Sequence, residues 1–137
     1  MTITPPTATP MRRLTVFLPY DPHAPRTARR YTTRWLAAEA GGTRRASDAV
    51  LIVSELVTNA VHHTRGPCVL TLTMRGTLLD IGVADESEDL PERQSVPGER
   101  GGFGLALVAL LGDTVTVVPA LGGKTVHVTL DTDAATP

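Results

Sequence analysis

The stretch Ala49 to His63, AVLIVSELVTNAVHH, limits what this chain can fold into more than any other segment. At helical spacing, Val50, Leu51, Ile52, Val53, Leu56, Val57, Ala60 and Val61 cover most of the circumference, and a helix that apolar is buried on most sides. A narrow polar stripe runs through it. Asp48, Glu55, Asn59 and His62 point in neighbouring directions, with His63 beside Asn59. Buried polar groups cost free energy unless they are paired, so the stripe requires partners. An internal hydrogen-bond network and a ligand site both meet that requirement.

Composition narrows the setting. The 137 residues are enough for one domain with a proper core, and 42% hydrophobic with 20% charged residues is a globular balance. A formal net charge of -1 argues against a general polyanion-binding surface and so against direct nucleic-acid binding. The local cluster Arg26, Arg29, Arg30 and Arg34 reads as a solvated helix face. The single Cys68 cannot form an internal disulfide and has no metal-ligand spacing, so in its apolar run it reads as an inert packed thiol. MTITPPTATP is too polar for a signal peptide, and no apolar run reaches membrane-spanning length. A cytoplasmic protein with no membrane partner is the expectation.

In order along the chain, residues 1–10 read as a disordered Thr/Pro tail, 11–131 as the domain and 132–137 as a frayed C-terminal tail. Leu14 to Leu18 is β-favouring. Ala24 to Ala40 predicts a helix with Pro25 in its first turn, an apolar face of Ala28, Tyr31, Trp35 and Ala38, and a stop at Gly41-Gly42. Tyr31 and Trp35 are expected in the core. Ser47 is the expected N-cap of the central helix, which should end near His63. Cys68 to Met74 and Leu78 to Val83 read as a hairpin turning at Arg75, Gly76 and Thr77. From Ala84 to Gly102 the pattern fails, and a loop that long in a compact domain is usually functional. Gly104 to Leu111 is a short apolar helix, and Thr114 to Val118 with Thr125 to Leu130 a second hairpin. Helices early and paired strands late predict an α/β (α+β) two-layer sandwich, with a mixed, mostly antiparallel sheet covered on one face by helices.

Three separated segments share a chemical character. Glu55 and Asn59 stand one turn apart. Asp85 leaves the end of an apolar strand in Val83-Ala84-Asp85-Glu86-Ser87. Gly101-Gly102-Phe103-Gly104-Leu105 is a glycine loop that opens a helix, where backbone N–H groups and the helix N-terminus suit a phosphate. Neither a Walker-type loop nor the dinucleotide fingerprint is present. In this order and spacing the set resembles the GHKL (histidine-kinase-like) ATPase superfamily, and most nearly its RsbW/SpoIIAB type of anti-sigma factor, a small serine/threonine kinase. The resemblance runs from about Leu14 to Leu130. SELVTNAVHH is similar to the N box, VADES to the G1 box, GGFGLALV to the G2 box and GGKTVHVTL to the closing strand.

The resemblance implies a Bergerat-type ATP-binding fold with ATP and Mg²⁺ as cofactors. Carried over residue by residue, Glu55 is the catalytic base, Asn59 the Mg²⁺ ligand bridging to the phosphates, and His63 a histidine near the nucleotide. Asp85 reads the adenine amino group with Ser87 beside it, Gly101, Gly102, Phe103, Gly104 and Leu105 flank the phosphates, and Thr125 supports the adenine contact. Ser87 stands where the G1 box usually has glycine. Arg93 and Arg100 are the candidate lid cations for the γ-phosphate. His62 is left out of the site. The implied activity is transfer of the γ-phosphate to a Ser/Thr of a STAS-domain anti-anti-sigma protein, together with sequestration of a sigma factor. Homodimerisation through the first helix and edge strand is a further analogy. The alternative is a nucleotide-gated protein-binding module without kinase turnover.

Overall fold

The computed structural model of the chain describes residues 10–38, 43–88 and 104–134, apart from the side chains of 104–107. The elements run β1 (Met11–Leu18), α1 (Ala24–Ala37), α2 (Ala46–Thr64), β2 (Cys68–Arg75), β3 (Leu78–Asp85), α3 (Gly104–Leu111), β4 (Thr114–Ala120) and β5 (Gly123–Asp131). The strands form one five-stranded sheet in the order β1-β2-β3-β5-β4, and every pairing is antiparallel. The expected two-layer α+β architecture is the observed one. The sheet is wholly antiparallel where mixed pairing was allowed for. The tail expected at residues 1–10 lies outside the described residues except for Pro10, and Gly41-Gly42 lie outside them altogether.

Strand parity sorts the sheet into two faces. Val16 and Leu18 of β1, Leu70, Leu72 and Met74 of β2, Leu79, Ile81 and Val83 of β3, and Val126, Val128 and Leu130 of β5 are buried on the helix side. Over them α2 buries Ala49, Ile52, Val53, Leu56, Val57 and Ala60, among the sheet, α1 and α3. That leaves Glu55 and Asn59 half-buried at the margin of the packed stripe. The central helix therefore packs the core along most of its length and, through Leu56, Asn59, Ala60 and His63, walls the site near its C-terminal end.

Two helix expectations shift for identifiable reasons. The buried stripe of α1 is Ala24, Ala28, Thr32 and Leu36, while Tyr31 is 46% exposed and Trp35 is only partly buried. A threonine can join the apolar stripe because Thr32 Oγ1 donates to the Ala28 carbonyl at 2.8 Å, which satisfies its hydroxyl within the helix. The stripe thus leaves Tyr31 outside the core, while Trp35 packs against its edge. At the start of α2, Ser47 lies inside the helix and Arg45 holds the N-cap position, without a side-chain capping bond. Arg45 serves a different purpose. Its side chain is buried, with Nε 3.0 Å from Asp48 Oδ2 and Nη2 donating to the Leu111 carbonyl at 2.5 Å. The guanidinium therefore ties the first turn of α2 to the last turn of α3, where a cation also suits the carbonyl end of the helix.

Replacing Ile52, a fully buried residue of α2, should show how much the core depends on this helix. Ile52→Ala is expected to cost about 2–5 kcal/mol, through lost transfer energy and the cavity left behind, read as a lower urea midpoint with an unchanged m-value.

Candidate functional site

The site lies where α2 passes over the ends of β3 and β5. Leu56, Asn59, Ala60 and His63 of α2, Val83 and Asp85 of β3, and Lys124 and Val126 of β5 line one small cavity. Its walls are mostly aliphatic, with an amide, an imidazole and a carboxylate–ammonium pair at the edges. The free volume is about 10 Å³, the lower limit for holding one water, so a larger ligand enters only as the lining side chains give way.

Asp85 is the last residue of β3 and shares the parity of Leu79, Ile81 and Val83, which turns its carboxylate to the helix side. Its Oδ1 accepts the backbone N–H of Ser87 at 2.9 Å, a local turn that fixes the carboxylate as the chain leaves the strand. The same oxygen accepts from Lys124 Nζ at 3.0 Å, and the two side chains are only 4% and 5% exposed. Lys124 Nζ also donates to the Ser87 carbonyl at 3.2 Å. The register explains the meeting: Asp85 is directly opposite Lys124 in the β3–β5 ladder. Gly123 makes that approach possible, because a Cβ there would run into the Asp85 carbonyl oxygen. The Leu121-Gly122 turn before it uses glycine at φ 76°.

Cys68 sits opposite Asp85 in the β2–β3 ladder, buried beneath the same corner. Burial, and secondarily the negative Asp85, pushes its thiol up to about 11. The inert packed thiol expected from the sequence matches these surroundings.

The remaining site expectations divide cleanly. Asn59, His63 and Asp85 come together around one cavity, and the Ser87 backbone N–H and carbonyl join them. Glu55 is half-buried one turn before Asn59 on the same helix, outside the cavity lining. His62 points instead to a separate groove with Tyr20, Pro22, Pro25 and Arg65. Gly104 and Leu105 open α3, which packs on α2. Gly101, Gly102, Phe103, Arg93 and Arg100 lie outside the described residues. Thr125 stands opposite Ala84 on the outer face of the sheet, its Cγ2 3.7 Å from where a Gly82 Cβ would lie, beside the His127 ring. Lys124, one residue earlier, is the strand residue that turns to the cavity. Alternation held the signal: Lys124 is in phase with Val126, Val128 and Leu130, and Thr125 is not.

A magnesium ion fits the donor set in one way. Among the described residues no cluster of three or more His, Cys, Asp or Glu side chains is present. Asn59, however, lines the cavity, and no side-chain hydrogen bond ties it to another described residue. A single amide oxygen completed by phosphate oxygens and waters is an arrangement magnesium accepts.

With this geometry in view, the comparisons with known proteins place the chain in a class. Residues 18–130 match the model of the histidine kinase-like ATPase domain, and the chain belongs to that family. Among solved structures it is similar to the RsbU and RsbW domains of Rv1364c from Mycobacterium tuberculosis, with 25% identity and a TM-score of 0.69 over 91% of this chain. It spans only 34% of that longer chain. The SiaB–SiaC complex from Pseudomonas aeruginosa contains a second neighbour, at 12% identity and a TM-score of 0.60, covering 85% of this chain and 88% of that one, a likeness of fold. No curated protein matches the sequence. No helix among the described residues is long and apolar enough to cross a membrane.

Two outcomes test the corner. Asp85→Ala should cost about 3–5 kcal/mol by leaving the Lys124 ammonium buried without its counter-charge, and Asp85→Ala combined with Lys124→Met should recover much of that loss in urea denaturation. For Cys68 the folded pKa lies above the ordinary thiol value of 9.0, so the native state binds the thiol proton more tightly than the unfolded state. Its contribution is therefore complete below pH 9 and is lost as pH rises from 9 through about 11. Comparing denaturant midpoints of the protein and Cys68→Ala across that range should show the gap between them changing there and staying level below it.

Proposed function

We propose that this protein is an anti-sigma-factor-like regulator that binds ATP with Mg²⁺ and phosphorylates a serine or threonine on a small STAS-type antagonist protein. In this reading it also holds a sigma factor inactive and exchanges one partner for the other with nucleotide state, in the cytoplasm. The observation that carries the proposal is the convergence of Asn59 and His63 from α2 with Asp85 from β3 on one cavity, with Glu55 a turn away. Family membership supports nucleotide binding, and the RsbW domain among the similar structures supports the regulatory role.

Each residue has a defined task. Asp85 is a fixed acceptor for the exocyclic amino group of adenine, held rigid by the end of β3 and by the Ser87 N–H. Val83, Val126, Leu56 and Ala60 give the ring apolar walls and exclude water from it. Asn59 would hold a magnesium ion, whose charge would offset that of the phosphates. Glu55 takes the proton of the acceptor hydroxyl. The hydroxyl oxygen then forms the new bond to the γ-phosphorus as the bond to the β-phosphate oxygen breaks, leaving a phosphorylated side chain and ADP. The residues of 101–104 and the N-terminus of α3 are placed in this proposal at the phosphates, where backbone N–H groups suit an anion.

The test is transfer itself. The protein is incubated with labelled ATP, Mg²⁺ and candidate STAS domains, and label on a serine or threonine of one of them is the expected result. Glu55→Gln should keep ATP affinity within about twofold while lowering transfer by about 10²–10⁴-fold, the contribution of a general base. ATP binding without transfer to any candidate would make the chain a nucleotide-gated binding module instead. Failure of saturating ATP to raise the melting temperature would remove the nucleotide altogether, because a ligand that binds only the native state must stabilise it.

A further inference from the structure

The carboxylate at the end of β3 is not alone in the cavity. Lys124 Nζ lies 3.0 Å from Asp85 Oδ1 and 3.2 Å from the Ser87 carbonyl oxygen, and the lysine side chain lines the same cavity as Asp85. An ammonium has three N–H groups. Among the described residues two are used by these contacts, which leaves one for a ligand. The position is built rather than incidental. Strand parity turns Lys124 inward with Val126, the β3–β5 register sets it opposite Asp85, and the absence of a side chain on Gly123 lets the strands close there. The side chain is 5% exposed, so the ammonium is committed to this corner and is not a surface charge folded back by chance.

We propose that Asp85 and Lys124 read the base together, as an acceptor and a donor side by side, and that Lys124 is a specificity-determining residue of the site. The inference rests on the nucleotide reading given above. A purine edge presents donors and acceptors at adjacent ring positions. On adenine the exocyclic amino group donates, and ring nitrogen N1 next to it accepts. Asp85 accepts from the amino group, and the third N–H of Lys124 donates to N1. A carboxylate alone would read only the amino group and would leave N1 to water. The pair also keeps the buried charges matched while the base is present, because neither the carboxylate nor the ammonium loses its partner. Removing the lysine removes one charge-assisted hydrogen bond to the ring and the selection that goes with it.

The experiment compares nucleotides that differ at one ring atom. Affinities of the intact protein for ATP, 1-deaza-ATP (which lacks the N1 acceptor) and 7-deaza-ATP (which keeps it) are measured by titration calorimetry with Mg²⁺. ATP and 7-deaza-ATP should bind alike, and 1-deaza-ATP about tenfold more weakly, the effect of one hydrogen bond to a charged group. This comparison needs no variant, so it stands even where a substitution harms folding. Lys124→Met should then bind ATP about tenfold more weakly and no longer separate ATP from 1-deaza-ATP, with circular dichroism checking that it is folded. Equal binding of ATP and 1-deaza-ATP by the unmutated protein would overturn the proposal while leaving ATP binding intact. Tighter ATP binding by Lys124→Met would also overturn it, since the lysine would then be an occupant the base must displace. Absence of ATP binding by the unmutated protein would overturn this proposal and the nucleotide reading together.

Discussion

The arrangement of the site depends on one pairing register. β3 and β5 run antiparallel with Asp85 opposite Lys124, and that single match sets a carboxylate and an ammonium facing the helix layer at the end of an otherwise aliphatic surface. A slip of β5 by one residue would turn Lys124 to the outer face and bring Thr125 inward, away from the register that now sets Lys124 opposite Asp85, because side chains alternate along a strand. Gly123 and the Leu121-Gly122 turn protect the register from one end, and the buried Val126, Val128 and Leu130 from the other. Core packing and site chemistry are thus fixed by the same ladder.

The second determinant is α2. Its length and apolarity make it the covering layer of the sheet, and its burial leaves only a narrow margin for polar groups. Glu55 and Asn59 occupy that margin, half-buried, where a carboxylate and an amide can meet a ligand without a full desolvation cost. The helix is also anchored at its start. Arg45 reaches across to the Leu111 carbonyl, so the α2 that carries Asn59 is tied to the last turn of α3. A change in the position of α3 would therefore be felt at the start of α2, on the helix that carries the polar stripe.

The polar margin of α2 and the strand-end aspartate were legible from residue type and spacing, since a buried carboxylate and amide at helical separation contradict the pattern around them. Asn59, His63 and Asp85 do meet at one cavity. Less legible were contacts that depend on which face a strand presents. Thr125 looked suited to the site by its place in GGKTVHVTL, yet it stands on the outer face, and Lys124 turns inward. Lysine is normally a surface residue, so type alone argued for solvent, while alternation argued for the core. The buried stripe of α1 is a similar case. Tyr31 is the more apolar choice, but Thr32 is buried because its hydroxyl bonds back to Ala28.

The sequence by itself determined the order and type of the elements, the apolar faces that bring them together, and the chemical kind of residue available at the site. Those are local properties, set by spacing, propensity and the cost of burying polar groups. Only the tertiary structure decided that β5, not β4, lies beside β3. From that came the Asp85–Lys124 pair and the fit of Gly123 against the Asp85 backbone, and the packing of α3 on α2 supplied the staple from Arg45 to Leu111. Each joins residues far apart in the chain, and no local rule states which distant strand or helix end will supply the partner. In AVLIVSELVTNAVHH the polar stripe showed that a partner was needed. Strand order and register supplied the wall that faces it.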